Sequence, residues 1–511
     1  MGLFSSRPDH LLGDAKELKR VLAELPTDNA FKTVDEIYGW FESLRLADDF
    51  RVDHFFAVVR QLDEAAQGAV RQLSRTYLQT AQLSKSEERR VWSLCYNYWG
   101  EVSCLYARCI DRVRQNPRER GADQLKPQLP LAATRLLAAR VSQLKWVEYR
   151  YEPIGEDLWR GLGQPYLAAE AAGYAQSPVQ LYPTTSGMTS VAAQYLQALV
   201  FYASSMDSLL PIEVELAERL VAHFLPFFSL STQWSAGNVY SVDAGSGLPP
   251  QRLARPVDSP APSLRYFSPS GATRALTELI ASVELGQVPA DINLGGQYRP
   301  TVLLPVLRHL ARYWAAEPPQ REHARHAVKT RIAVLHGFDD CFTVFAGDVA
   351  RLGKERSAAS WVVENVSLGG FGVRVDDLSG ESVAAALRVG ALLCIQPEGG
   401  ENWVIGVLRR FNKDSGAQAH IGVETLSTRA QSVELRPRTT GFSATGTLPG
   451  IFLGEAAVRG EVRLVLPSMS FDVRVSLDVV RDGRRALLVP VELEETGNGF
   501  EIGRYRETPA D

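Results

Sequence analysis

Residues 361–375 read WVVENVSLGGFGVRV, and this stretch decides the fold of the C-terminal half. Phe371, Val373 and Val375 alternate with other residues, which is the period of a half-buried β-strand. The same alternation recurs on either side, in Ile332 and Val334 and in Trp403, Ile405 and Val407. Gly337, Gly369, Gly370, Gly399, Gly400 and Gly416 stand where the chain is expected to turn or bend. Roughly six short strands in about 110 residues predict a small antiparallel barrel.

Beyond it the pattern continues. VRLVLP (462–467), FDVRVSLDVV (471–480), ALLVPVEL (486–493) and GFEIGRYR (499–506) predict a second β segment, either a domain of its own or an extension of the first.

Upstream the period changes from two to 3.6. Val59, Leu62, Ala66, Val70, Leu73 and Tyr77 share one helical face, as do Leu137, Val141, Leu144 and Val147. Ile212, Leu216, Leu220 and Phe224 make a third stripe, with Pro211 tolerated in the first turn. Residues 234–271 carry Gly, Pro and Ser throughout with no helical period, and predict a long loop or small irregular subdomain anchored by Trp234, Tyr240, Tyr266 and Phe267. Two helices are expected after it, near 272–285 and 300–315, the second ending at Pro318-Pro319.

The expected fold class is therefore multidomain α+β. An all-helical N-terminal bundle or helical-repeat region (1–232) precedes an irregular connector with two helices (233–317). A small antiparallel β-barrel (318–432) follows, and then a C-terminal β domain or barrel extension (433–511).

Composition narrows the function. The 511 residues are 45% hydrophobic and 22% charged, which excludes a disordered chain. A net charge of -4 argues against a DNA- or RNA-coating protein, which needs a broad basic face. Five cysteines with no C-x-x-C pair argue against zinc ribbons and a secreted disulfide framework. The first residues lack the apolar run of a signal peptide, and no segment has 18 consecutive apolar residues. A cytoplasmic protein with no membrane span is expected.

Two short motifs frame the predicted barrel. Arg321 and Arg325 form an R-x-x-x-R pair in PPQREHARHAVKTRIAVLHG (318–337), just before the first strand. Asn365, Ser367 and Gly370 fit [DN]-x-S-x-x-G in the stretch quoted above. NWVIGVLRRF (402–411) and HIGVETLS (420–427) follow. In residue types and order, this segment resembles the PilZ domain family of bacterial cyclic di-GMP receptors. The resemblance implies that Arg321 and Arg325 hold phosphate and guanine. It also implies that Asn365 and Ser367, with Gly369 and Gly370 at the turn, bind a guanine or its surroundings. The chemistry agrees: a guanidinium donates paired hydrogen bonds to phosphate and stacks flat on a purine.

Forty positions separate Arg325 from Asn365, longer than the family's usual spacing, and 337–360 is read as an added hairpin or loop. It carries a second basic cluster, Arg351, Lys354 and Arg356. Other clusters read as structure. His323, His326 and His336 lack the partners of a metal set. The acidic pairs Asp339-Asp340 and Glu494-Glu495 read as solvated surface. Trp92, Tyr96, Tyr98 and Trp99 beside Cys95 have the spacing of a helical core. No catalytic motif is present, so no enzyme and no cofactor beyond the ligand are expected. The expected function is a cyclic di-GMP receptor that couples nucleotide binding to an unidentified protein partner through the helical region. The alternative is an adaptor or scaffold with a degenerate barrel that binds no nucleotide.

Overall fold

The computed structural model describes residues 8–78, 83–253, 260–289, 292–296, 298–317, 326–348, 359–367, 369–376, 387–397, 402–414, 418–438, 446–454, 460–481 and 483–509. The chain divides into two compact units. One comprises residues 1–150, 154–206 and 211–319; the other comprises 151–153, 207–210 and 320–511.

The first unit is helical. Its elements are α1 (Ala15–Glu24), α2 (Ala30–Arg45), α3 (Val52–Leu78), α4 (Lys85–Gln115), α5 (Ala122–Leu125), α6 (Leu129–Glu148), α7 (Glu156–Ala171), α8 (Val191–Ala203), α9 (Pro211–Phe224), α10 (Ala272–Glu284) and α11 (Pro300–Trp314). The predicted stripe on α3 is buried along its whole length, from Val59 to Tyr77. Helix α4 starts at a capping box: the Ser84 hydroxyl accepts from the Glu87 amide, while the Glu87 carboxylate accepts from the Ser84 amide at 2.9 Å. Cys95, Tyr98 and Trp99 are core residues, and the Trp92 indole donates to the Trp146 carbonyl at 2.7 Å.

A buried polar network crosses this unit. Asp63, wholly inaccessible, accepts from Gln67, Tyr98, Tyr106 and Tyr182. Arg135 reaches within 3.5 Å of it and also donates to Glu64 at 2.6 Å. Burial pushes the Asp63 carboxyl up, opposed by the Arg135 charge and the tyrosine hydroxyls.

In the stretch expected as a long loop or small irregular subdomain, β1 (Ser229–Ser231), β2 (Tyr240–Asp243), β3 (Gln251–Arg252) and β4 (Leu264–Ser268) form a small antiparallel sheet in the order β1-β4-β2-β3. The strands are too short for a two-residue period to show above the Gly, Pro and Ser background. Tyr240, Tyr266 and Phe267 are buried as anchors, whereas Trp234 is exposed.

The second unit holds two closed six-stranded barrels. The first comprises β5 (His326–His336), β6 (Ala359–Ser367), β7 (Gly370–Val375), β8 (Leu392–Pro397), β9 (Val404–Lys413) and β10 (Ala419–Ser427), in the order β10-β7-β6-β5-β8-β9. The second comprises β11 (Ala430–Arg438), β12 (Leu448–Leu453), β13 (Glu461–Pro467), β14 (Ser476–Arg481), β15 (Arg484–Thr496) and β16 (Phe500–Pro509), in the order β11-β12-β13-β16-β15-β14. Closure leaves neither barrel with an open edge.

Each barrel has its own core, Trp361, Val363, Val373 and Ile421 among the residues of the first, Leu435, Leu464 and Leu488 of the second. A third apolar cluster is shared between them: Leu392, Cys394, Ile405 and Val407 from one, Ile451, Val465, Phe500 and Ile502 from the other. Helix α12 (Phe338–Phe345) packs into this shared cluster through Phe338, Cys341 and Val344. The 337–360 stretch, read as a hairpin or loop, thus opens with a helix whose apolar face is buried. Asp340 is buried with it, and Glu494 and Glu495 pair with Arg463 and Arg409, so neither acidic pair is simple solvated surface.

Candidate functional site

Strand β6 lies between β5 and β7, and its register decides where Asn365 and Ser367 point. Val363 faces Val373, but Asn365 faces Gly372, so Glu364 is an extra residue without a partner on β7. Such a β-bulge reverses the facing of every side chain beyond it. Without it residues 361, 363, 365 and 367 share the inward face. With it Trp361 and Val363 point into the core, while Asn365 and Ser367 stand opposite Gly372 and Gly370 on the outer surface.

The outer surface at this point is nearly bare of side chains. Gly372 pairs with Gly422 on β10, and Gly422 pairs with Arg410 on β9. The row therefore runs Asn365, Gly372, Gly422, Arg410, with two glycines between two polar side chains. Arg410 is paired with Asp207 at 3.1 Å. Beside the row, Glu364 lies 3.5 Å from Arg374 and 3.3 Å from His420, and Arg374 also reaches Asp376 at 2.8 Å.

Each residue of the N-x-S-x-x-G motif has a distinct local task. The Asn365 Oδ1 is buried and has no hydrogen-bond partner among the described residues. A buried acceptor left unpaired costs roughly 1–3 kcal/mol until something donates to it. The Ser367 hydroxyl donates to the Gly370 carbonyl at 3.0 Å, closing the turn between β6 and β7. The Gly369 carbonyl accepts from the Thr425 amide at 3.0 Å. Gly370 has a φ of +153°, and a Cβ there would stand 2.0 Å from the Val423 carbonyl oxygen. Only glycine meets both conditions.

Arg321 and Arg325 lie outside the described residues, as do Arg351, Lys354 and Arg356. Strand β5 begins with His326 opposite Val366 and Ala327 opposite Asn365, and Arg325 is bonded to His326. The other cluster leads into Ala359, which pairs with Val334 six residues along β6 from Asn365, about 20 Å at the usual rise.

On the far flank of β10, Arg409 pairs with Glu424 at 2.5 Å and with Glu495 of the second barrel. Burial opposes its charge, but the two carboxylates hold the guanidinium pKa above its ordinary value. No group of three His, Cys, Asp or Glu suited to a metal ion occurs among the described residues. Sequence reading missed Gly372 and the bulge at Glu364. A glycine inside an alternating strand, at GFGV, was the available signal for both.

Family models match two stretches of the chain. The model for the N-terminal domain of the cyclic-di-GMP receptor FimW matches residues 16–235, and the model for the middle PilZ domain of that receptor matches residues 350–432. Together they cover more than half of the chain. It belongs to the FimW family of cyclic-di-GMP receptors. The FimW N-terminal model falls on the helical unit, and the PilZ model spans β6 to β10 with the start of β11. The expected resemblance and fold class thus stand: a helical N-terminal region, a PilZ barrel and a C-terminal β segment, here a second closed barrel. No curated protein matches the chain by sequence. Among the described residues no helix is long and apolar enough to cross a membrane.

Proposed function

We propose that the ligand of this receptor seats on the outer surface of the first barrel, at the β6–β7 turn. Asn365 and Ser367 supply neutral donors and acceptors to a guanine, Gly369 and Gly370 let the base approach the backbone, and Arg321 and Arg325 supply the charge for phosphate. One observation carries the reading. The residue bonded to Arg325 pairs with Val366, between Asn365 and Ser367, and this supports reading the two motifs as parts of one site. The basic cluster at Arg351–Arg356 leads into the opposite end of β6.

The helical unit transmits the bound state to a protein partner. Ligand held by Arg321 and Arg325 fixes the segment joining α11 to β5, which is one of the covalent links between the helical unit and the barrel. The protein acts in the cytoplasm, as a receptor without catalysis of its own.

Isothermal titration of the full chain with cyclic di-GMP tests the site, alongside the Arg321→Ala/Arg325→Ala variant. Micromolar or tighter binding by the parent, lost in a variant with an unchanged melting temperature, is the expected result. Binding that survives would move the charged part of the site to Arg351–Arg356. No binding by the parent would favour an adaptor. Hydrogen exchange over 300–330 tests transmission, and an unchanged pattern at saturating ligand would sink it.

A further inference from the structure

We infer that Gly372, which lies outside the N-x-S-x-x-G motif, is a positioning residue for the nucleotide: its missing side chain is the seat of the Asn365 carboxamide. The inference rests on the site reading above.

A Cβ built on Gly372 meets Asn365 Nδ2 at 2.8 Å, Oδ1 at 2.8 Å and Cγ at 3.0 Å, and these are its three nearest neighbours. Real Cβ contacts are not that short, so the carboxamide occupies the volume that any other residue at 372 would fill. The bulge at Glu364 brings the amide to the outer face, and the bare position at 372 then lets it lie down against β7. There its Oδ1 is shielded from water yet unpartnered among the described residues. Seated in that space, the carboxamide is held in one place against β7, so it has little freedom left to lose when a base meets it.

Gly372 differs in kind from Gly370. A side chain at 370 strikes backbone, the Val423 carbonyl, and damages the barrel. A side chain at 372 strikes the free end of one side chain, which swings away at little cost to the fold. Gly372 has no positive φ, so an alanine there is not strained. The two glycines thus separate folding from ligand geometry.

A double-mutant cycle on the full chain, titrated with cyclic di-GMP, tests this. Gly372→Ala is expected to weaken binding about tenfold or more when Asn365 is present, and to weaken it no further in the Asn365→Ala background. The melting temperature should stay within a degree or two of the parent in both. Parent-like binding by Gly372→Ala would overturn the inference, and so would an equal loss in both backgrounds. If Asn365→Ala alone leaves affinity unchanged, the failure belongs to the site reading itself. The two failures are therefore distinguishable.

Discussion

Arg409 of the first barrel and Glu495 of the second are joined by two parallel contacts, Nη1 to Oε1 at 2.5 Å and Nη2 to Oε2 at 2.7 Å. The same guanidinium sends its Nε to Glu424 at 2.5 Å. The fork geometry is specific to arginine, because a lysine ammonium cannot make two parallel bonds to one carboxylate.

Arg409→Ala is expected to destabilise the barrel unit by about 1–2 kcal/mol, reading the pair as partly exposed and solvent-screened. Arg409→Lys should recover less than half of that. Urea unfolding followed by far-UV circular dichroism measures both, and a lysine variant as stable as the parent would show that only charge matters there.

Gly370→Ala should be far more damaging, by about 3 kcal/mol or more, because the methyl group meets the Val423 carbonyl and the backbone is held at positive φ. Thermal unfolding of the purified variant reads this directly. A loss below 1 kcal/mol would mean that β7 and β10 shift apart easily.

In the helical unit Asp63→Ala is expected to cost about 3–5 kcal/mol. It leaves Arg135, only 2% exposed, without its buried partner and strips an acceptor from three tyrosine hydroxyls. Asp63→Asn keeps the acceptor and loses the charge, so it should fall between the parent and alanine. An asparagine variant as unstable as the alanine one would assign the whole effect to charge.

Acid should weaken the helical unit through Glu215. Burial works to raise its pKa, but Lys145 and Arg219, with hydrogen bonds from Lys145 and Tyr149, outweigh burial and lower it from 4.5 to about 2. A depressed carboxylate stabilises the fold fully above its unfolded value and loses that contribution as pH falls through the folded one. Stability on the order of 3 kcal/mol should therefore be present above about pH 4.5 and drain away towards pH 2. Glu215→Gln should be less stable than the parent at pH 7 and should flatten the curve across that window. Parallel curves for the two proteins would rule Glu215 out as the source.

How far the sequence alone could see follows from what each signal depends on. The α3 stripe and the alternation at Phe371–Val375 are local periodicities, and both carried over to buried faces. The motif order around β5 and β6 was also legible, because it needs only residue types in sequence. The outward turn of Asn365 was not. It depends on a single unpaired residue, Glu364, and the glycine at GFGV hints at a bulge without saying which residue of β6 goes unpaired. Nor was α12: eight residues give barely two turns, too few for a period, and their apolar face is explained only by a cluster contributed by both barrels. The sheet of residues 229–268 escaped for a related reason, since its four strands are two to five residues long.

The apolar cluster under α12 has a practical consequence for anyone dissecting this receptor. A fragment that stops at residue 432, where the PilZ match ends, keeps Ile405 and Val407 but discards Ile451, Val465, Phe500 and Ile502, their packing partners. It also cuts β11 after three of its nine residues. Such a piece would present a greasy wound to solvent, and a lost or altered affinity in it would report on the cut and not on the nucleotide. The smallest honest unit for ligand work carries both barrels, so the sequence beyond the recognised domain belongs in every expression design.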